Sequence, residues 1–254
     1  MKTEFEHLIS NELLSCVERT IQRTLEKPEL YRPFHTALLS KEVIFWSSFE
    51  RSFSTSFGSR VIEEIARLVV LSNGASKAER QKETFINIDR SYADQITYEL
   101  QQLSDGSSNV DKSFDKTVCR IMNVPCSGEI TTVRVISDLW WEKDGTQNFI
   151  SLKTVMPNLD QTEIAKKDCL NLKVAFPDCN AYFGLPYNPY GEEKSSYAHS
   201  LPKKIFDFQN DSNVLIGKEL WDTLGGPGTY YKLIEIAESV GNKTKQLISS
   251  KFKL

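Results

Sequence analysis

Apolar residues recur at every third or fourth position near the start of the chain. This spacing predicts an amphipathic helix over residues 3 to 26, with one face turned toward a core or a partner. Pro28 and Pro33 break the pattern. A second helix is predicted to begin near Ser40. A third covers the strongly amphipathic stretch FGSRVIEEIARLVVLSNG, which ends on an Asn-Gly pair typical of a helix terminus.

The middle of the chain changes from a helical to a strand-like pattern. Residues 91 to 103 are predicted to be helical, because apolar positions again follow the helical period. Residues 129 to 156 hold two β-rich runs on either side of a Lys-Asp-Gly turn, which predicts a β-hairpin. Asn158 is a suitable N-cap for a helix over LDQTEIAKKDCLNL.

The last third of the chain begins with short apolar runs. LKVAFP and AYFGLPY predict two short buried strands, and NVLIG predicts another strand or the start of a helix. The stretch ELWDTLGGPGTYYKLIEIAESV predicts two helices joined by a glycine loop. Helices, a hairpin, a helix, strands and more helices follow one another. That order indicates an α/β or α+β fold with a mixed central sheet and flanking helices.

Composition excludes some classes of function. The 254 residues carry a net charge of −3, so a small basic DNA-coating protein is not expected. A DNA enzyme stays possible, because the local field of a cleft matters more than total charge. Five cysteines without a CxxC pair indicate reduced thiols rather than a zinc module. Without a signal peptide or an apolar run of about 18 residues, we expect a cytoplasmic protein with no membrane partner.

Two hairpin residues carry the strongest chemical signal. Asp138 interrupts a β-rich run, where aspartate is disfavoured, and Lys153 stands among apolar residues of the next run. A carboxylate that faces a lysine across a hairpin is suited to holding a divalent metal beside a phosphodiester. The alternatives are a strand-end aspartate bonded to local backbone and a lysine that protects an edge strand.

The hairpin resembles the PD-(D/E)xK nuclease core, in which a strand aspartate and a second acid bind Mg²⁺ and a lysine assists the attacking water. Ser137 replaces the usual proline, and Ser151 replaces the usual second acid. A hydroxyl cannot replace a carboxylate as an anionic ligand of a hard cation. In some restriction enzymes of this class that acid comes from the following helix. The resemblance therefore implies Glu163 as its replacement, with Asp160 as a competing candidate that could instead complement the helix dipole.

Two further metal ligands are predicted. Nucleases of this class often take one acid from a helix before the hairpin, and Glu63 and Glu64 are adjacent there, so only one can face the sheet. We predict Glu63, with Glu64 as the alternative. The backbone carbonyl of Leu152 is also predicted to contribute a ligand. Both glutamates could instead be solvated surface residues.

Four segments also resemble the TdeIII-type family of type II restriction endonucleases, in the same order as in that family. They are FERSFSTSFG with the following EEIA, SLKTVMPNLDQTE, YFGLPYNPYG and LWDTLGGPGTYYKL. The resemblance implies a type II site-specific deoxyribonuclease that cleaves double-stranded DNA at a short palindrome such as GGNCC or GGWCC. It also implies Mg²⁺ dependence, a homodimer and a cognate DNA methyltransferase.

Other residues are weaker candidates for DNA binding. Arg51 and Ser52 lie in a polar run that can bind phosphate or cap a helix. Asn188 and Lys194 lie in or after a turn-rich loop, and their side chains are of types that read bases in the major groove. The alternative for the second pair is a structural turn with packed tyrosines.

We predict a single endonuclease domain over residues 1–254. Within it, residues 1–40 form a helical segment for dimerisation or DNA clamping, 57–190 the catalytic core and 191–254 a C-terminal helical part. Two other functions stay open. The chain could be a PD-(D/E)xK nuclease without strict sequence specificity, or a DNA-binding protein that has lost catalysis.

Overall fold

A five-stranded sheet in the order β1-β2-β3-β4-β5 organises the computed structural model, which describes residues 1–28, 30–106 and 111–252. The strands are β1 Lys77–Asp89, β2 Ile130–Lys143, β3 Thr146–Leu152, β4 Asn180–Leu185 and β5 Val214–Ile216. The first three pair antiparallel, whereas β3, β4 and β5 are parallel. Parallel neighbours need a long crossover, and a helix supplies it between β3 and β4.

Helices cover both faces of this sheet. The helices of the described residues are α1 Thr3–Glu26, α2 Pro33–Leu38, α3 Lys41–Ser56, α4 Ile62–Ser72, α5 Arg90–Ser104, α6 Phe114–Met122, α7 Leu159–Ala175, α8 Ser200–Ile205, α9 Lys218–Gly225 and α10 Thr229–Phe252. A π-helical turn, Phe57–Val61, joins α3 to α4. The predicted class, a mixed α/β fold with helices around a mixed sheet, is confirmed.

Alternation along the hairpin separates the two main cores. Leu139, Trp141 and Ile150 pack with α1, α4, α9 and α10 on one face of the sheet. Trp140 and Phe149 pack with α5, α6 and α7 on the other face. Successive strand side chains point to opposite faces, so two adjacent tryptophans serve two different cores. The sheet is therefore clamped from both sides where the hairpin turns.

Several predicted elements are confirmed at their ends. Ser40 caps α3 by accepting the Val43 N–H at 3.3 Å. Asn158 forms a capping box with Gln161, since its side chain accepts the Gln161 N–H at 2.8 Å. The hairpin turns at Asp144, whose φ is +50°, and at Gly145. At these positions, the chemistry of neighbouring residues was sufficient to predict where each helix begins and where the hairpin turns.

Two parts of the fold differ from the prediction. LKVAFP is not a strand, because α7 continues to Ala175 with Leu172 and Val174 buried on it. A short apolar run cannot by itself distinguish a buried helix end from a strand. Strand β1 was not predicted at all: its sequence, KAERQKETFINID, is polar because it lies at the sheet edge.

In the described part of the chain, none of the helices has the length and apolar character required to span a membrane. The sheet also extends beyond the predicted core boundary at residue 190, since β5 follows it in the sequence and pairs with β4.

Candidate active site

Asp138 is the centre of the candidate site. Its Oδ2 accepts the Leu152 N–H at 2.7 Å, the Lys153 Nζ at 3.1 Å and the Ser151 hydroxyl at 3.3 Å. The side chains of Lys153 and Asp138 are only 22% and 17% exposed. A hydrogen-bonded ion pair in such a protected position is held more firmly than one on an open surface. The carboxylate and the lysine predicted from the sequence therefore meet at the end of β3.

Glu63 reaches the same site from α4, through the side chain of Gln81. The Gln81 Nε2 donates to Glu63 Oε1 at 2.9 Å and to Asp138 Oδ1 at 3.2 Å. Burial raises the pKa of Glu63, and the charge of Asp138 acts in the same direction, whereas the Gln81 hydrogen bond, Arg80 and Lys153 oppose the rise. Residues from α4, β1 and β2 thus converge on one point.

The neighbouring Glu64 is directed elsewhere. Its carboxylate pairs with Arg67 at 2.6 Å and with Arg80 at 3.3 Å. Adjacent helical residues differ by about 100° around the axis, so only one of the two glutamates can face Asp138. The π-helical turn just before α4 changes the helical phase at this point, and such turns are frequent at functional sites.

Asp168 on α7 is an acid that sequence reasoning missed. Burial raises its pKa to about 6; Lys153 and Lys167 oppose this shift, and Asp138 adds to it. Asp168 also lines a small cavity together with Ser151, the residue that replaces the usual second acid. No amphipathic period marks Asp168 in the sequence, because the buried residues of α7 lie on nearly all sides of the helix.

Glu163, predicted to be that second acid, lies elsewhere. Its carboxylate accepts a hydrogen bond from Ser104 at the end of α5. Five residues along a helix correspond to about 140° of rotation, so Glu163 and Asp168 cannot point the same way. The exposed Asp160, its competitor, lies in the first turn of α7. We therefore replace Glu163 with Asp168 as the candidate acid of this helix.

The ligand atoms that the candidate acids offer can be compared with those that a hard cation prefers. Glu63, Asp138 and Asp168 supply oxygen atoms only, the ligand type that Mg²⁺ prefers. No group of three or more His, Cys, Asp or Glu side chains in the described residues is close enough to form a ready-made metal site. The donor set fits Mg²⁺ in kind, and the Leu152 carbonyl stays a predicted ligand.

A family profile decides the identity. The family described as "Type II restriction endonuclease, HinfI" matches residues 1–241. The chain belongs to the HinfI family of type II restriction endonucleases. This confirms the predicted type II restriction endonuclease function, whereas the recognition site, the Mg²⁺ dependence, the homodimer and the TdeIII label stay predictions.

Three relatives of this HinfI-family chain come from Herpetosiphon aurantiacus. The type II restriction enzymes HgiBI and HgiEI are each 31% identical over 224 residues, which is 86% of this chain and 80% of the relative. The type II restriction enzyme HgiCII is 28% identical over 225 residues, covering 87% of this chain and 81% of its own. The similarity therefore extends over most of both chains.

The four predicted DNA-binding residues lie in two places. Arg51 and Ser52 are on α3, whereas Asn188 and Lys194 follow β4. Arg51 is exposed and Ser52 half-buried on α3. Asn188 is occupied within its loop, since its amide donates to the Glu193 carbonyl at 2.7 Å and the Ser196 hydroxyl at 2.9 Å. The oxygen of the Asn188 side-chain amide accepts the backbone N–H of Tyr190.

Lys194 is used inside the protein. Its ammonium donates to the carbonyls of Val214 at 2.6 Å and Asp211 at 3.1 Å, and pairs with Glu219. The Lys194 ammonium is already bound by two backbone carbonyls and one carboxylate. This side chain therefore anchors β5 rather than reading a base. We therefore withdraw Asn188 and Lys194 as base-reading candidates, because both side chains already satisfy structural hydrogen bonds.

Proposed function

We propose that this type II restriction endonuclease cleaves double-stranded DNA in an Mg²⁺-dependent reaction at Asp138 and Lys153. The observation that carries the proposal is the convergence of Lys153, Asp138 and Glu63 on the end of β3, from three separate elements. A mixed sheet that displays an aspartate on β2 and a lysine directly after its partner strand β3 supports a PD-(D/E)xK core with serine in the second-acid position.

Each residue has a distinct proposed role. In its charged form, Lys153 places a positive charge where negative charge develops on the scissile phosphate and orients the attacking water. In its neutral form, the Lys153 amine would instead take the proton of that water. Asp138 holds the Lys153 ammonium in place at 3.1 Å. Glu63 and Asp168 complete the anionic lining, and the Leu152 carbonyl adds a neutral oxygen. The lining is partly buried, which limits contact with bulk water and strengthens the electrostatic interactions inside it.

Asp138, Glu63 and Asp168 would hold the Mg²⁺. When bound, the ion polarises the phosphate and stabilises the leaving 3′-oxygen. The requirement for ionised ligands means that cation binding weakens when the carboxylates are protonated. Since burial raises the pKa of Asp168 to about 6, we expect Mg²⁺ affinity to fall as pH drops through that value.

The remaining features of the proposed enzyme follow from the DNA. A palindromic site such as GGNCC or GGWCC has two-fold symmetry, which a homodimer matches with one active site for each strand. A cell that contains such an enzyme needs a cognate methyltransferase to protect its own DNA, and both act in the cytoplasm. Residues 1–40 and 191–254 are the proposed dimer or DNA-clamping parts around a catalytic core at 57–190.

The test is digestion of unmethylated phage DNA with Mg²⁺, followed by sequencing of the ends. We expect discrete fragments whose ends define one short palindrome. Asp138→Ala and Lys153→Ala are expected to lower the cleavage rate by at least about 100-fold, because each removes a group placed at the reacting phosphate. Asp94→Ala and Lys116→Ala are matched controls, since these side chains are 76% and 70% exposed.

Other outcomes would support the rival functions. A smear instead of discrete bands would indicate a nuclease without strict specificity. Failure to cleave with either Mg²⁺ or Mn²⁺ would favour a DNA-binding protein that has lost catalysis, for which Ser151 is the supporting feature. Full activity of both Asp138→Ala and Lys153→Ala would place the active site elsewhere.

A further inference from the structure

Gln81 interrupts strand β1 at the candidate site. Arg80 pairs with Leu139 and Lys82 pairs with Ser137, but the register has no pair between them. Gln81 has a φ of +50°, in the left-handed region that side chains other than glycine rarely adopt. Among the described residues, the other non-glycine residue with positive φ is in the hairpin turn, where this conformation is ordinary.

At this interruption, the side chains of β1 exchange the faces of the sheet to which they point. Arg80 faces α4, where it donates to the Arg60 carbonyl at 3.2 Å and pairs with Glu64. Lys82 lies on the other face, 5.0 Å from the centre of the Trp140 ring. Residues two apart in a regular strand share one face. The chain therefore changes faces at Gln81, and the change brings the Gln81 side chain between α4 and β2.

The amide of Gln81 joins two carboxylates that would otherwise repel each other. Its NH₂ group donates to Glu63 at 2.9 Å and to Asp138 at 3.2 Å. Only this end of the amide can face two carboxylates, because the amide oxygen is itself an acceptor. A strained backbone persists where its surroundings require it, and such residues cluster at active sites. The strain at Gln81 thus coincides with a specific electrostatic contact.

We propose that Gln81 is a positioning residue that holds the place of the cation between Glu63 and Asp138. The proposal rests on the proposed Mg²⁺ site. In the metal-free protein, the two N–H groups keep the carboxylates oriented toward a common point. A divalent cation needs the same oxygen atoms, so the amide has to leave them when the cation binds. Gln81 therefore lowers cation affinity while it preorganises the ligands.

Cation binding without DNA tests this directly. Mn²⁺ is titrated into the full-length protein, and free Mn²⁺ is measured by electron paramagnetic resonance. We expect Gln81→Ala and Gln81→Gly to bind Mn²⁺ about tenfold more tightly than the wild type, since hydrogen bonds to charged groups no longer compete. Glycine also relieves the backbone strain, so agreement between the two variants assigns the effect to the side chain.

Stability provides a second measurement. In chelator, Gln81→Ala is expected to unfold at a lower temperature than the wild type, because Glu63 and Asp138 face each other without a bridge. Saturating Mn²⁺ should raise the unfolding temperature of this variant more than that of the wild type. Asn87→Ala is the matched control, since it removes an exposed amide from the same strand, where Asn87 contacts Thr132. It should behave as the wild type in both measurements.

The remaining outcomes separate this proposal from the site itself. Weaker Mn²⁺ binding by Gln81→Ala would make the amide a ligand and overturn the proposal, as would unchanged binding. A change in Gln81→Gly alone would assign the effect to backbone strain and overturn it too. If Asp138→Ala binds Mn²⁺ as the wild type does, or if the wild type binds none, the metal site itself is wrong and the proposal fails with it.

Discussion

Asp138 satisfies its hydrogen-bonding capacity with donors from both neighbouring strands. Oδ2 faces three donors at the end of β3, and Oδ1 faces Gln81 on β1. A carboxylate bonded in this way is fixed in orientation before any ligand arrives. This matters for catalysis, because a group that is already oriented needs no reorganisation during the reaction.

Asp168 gives a prediction about stability in metal-free buffer. Burial raises the pKa of Asp168 from 3.8 to about 6, so between these pH values the folded protein retains a proton that the unfolded chain releases. Stability therefore falls as pH rises through this window, and the full penalty is present above pH 6. Asp168→Asn removes the penalty. After allowing for partial exposure, we expect a gain of about 1–2 kcal/mol at pH 8.

Urea unfolding with a chelator, at pH 5 and at pH 8, measures this effect. The advantage of Asp168→Asn should be smaller at pH 5, where Asp168 in the wild type is mostly protonated. An equal difference at both pH values would show that ionisation of Asp168 is not the cause. The same variant should bind Mn²⁺ more weakly and cleave more slowly, since the amide cannot supply a negative charge.

The contrast between Glu163 and Asp168 shows what a single sequence leaves undetermined at this scale. Asp138 and Lys153 could be predicted because each contradicts the β-rich pattern around it. Both acids of α7, however, are compatible with a polar helix after a hairpin. The choice depends on how α7 is rotated against the sheet, which is set by packing of residues distant in sequence. Gln81 could not be predicted as a site residue, because the polar residues around it do not show the alternating pattern of a strand.

At the scale of elements, the packing of β4 against the end of β3 determines the position of the residues that hold Asp138. A Cβ on Gly184 would lie 2.7 Å from Ile150 Cδ1, 3.0 Å from Leu152 Cδ2 and 3.2 Å from Leu220 Cδ1. These are buried or half-buried side chains that leave little room. Leu152 also supplies the N–H that binds Asp138. A methyl group at Gly184 would therefore press on the side chain of Leu152, whose backbone N–H holds Asp138 in the candidate active site.

We predict that Gly184→Ala destabilises the protein by about 1–3 kcal/mol through overpacking. Cleavage should fall as well, because displacement of Leu152 disturbs Asp138. Gly241→Ala is the matched control: it lies in α10 with no atom within 4 Å of the added Cβ. Alanine in place of a helical glycine should stabilise by about 0.5–1 kcal/mol. Chemical denaturation compares the two, and equal stabilities would contradict the packing argument.

Elements with strong local signals could be predicted, and those defined by their neighbours could not. The first helix, the capped helices and the hairpin were found because periodicity and cap chemistry act within a few residues. Strand β1 became visible only through its pairing with β2, which starts 41 positions after the first strand ends. The end of α7 was misread because burial on all sides removes the amphipathic period.

At the scale of the whole molecule, one chain contains a full set of proposed catalytic groups. Glu63, Asp138, Lys153 and Asp168 all come from elements of a single sheet and its flanking helices. The proposed chemistry therefore uses no residue from a second subunit. The proposed homodimer would therefore supply two independent sites, and their separation on the palindrome would determine where the two strands are cut.

This independence predicts the behaviour of mixed dimers. Wild-type and Lys153→Ala chains, carrying different affinity tags, are co-expressed and the mixed species is purified through both tags. On a supercoiled plasmid with one recognition site, the mixed dimer should produce mainly the nicked circle, because only one of its two sites cuts. Wild-type dimers should yield linear DNA, and Lys153→Ala dimers should leave the plasmid supercoiled. Gel electrophoresis separates the three forms. Linear product at the wild-type rate from the mixed species, or a monomeric mass by light scattering with DNA bound, would refute the proposed division of one strand to each subunit.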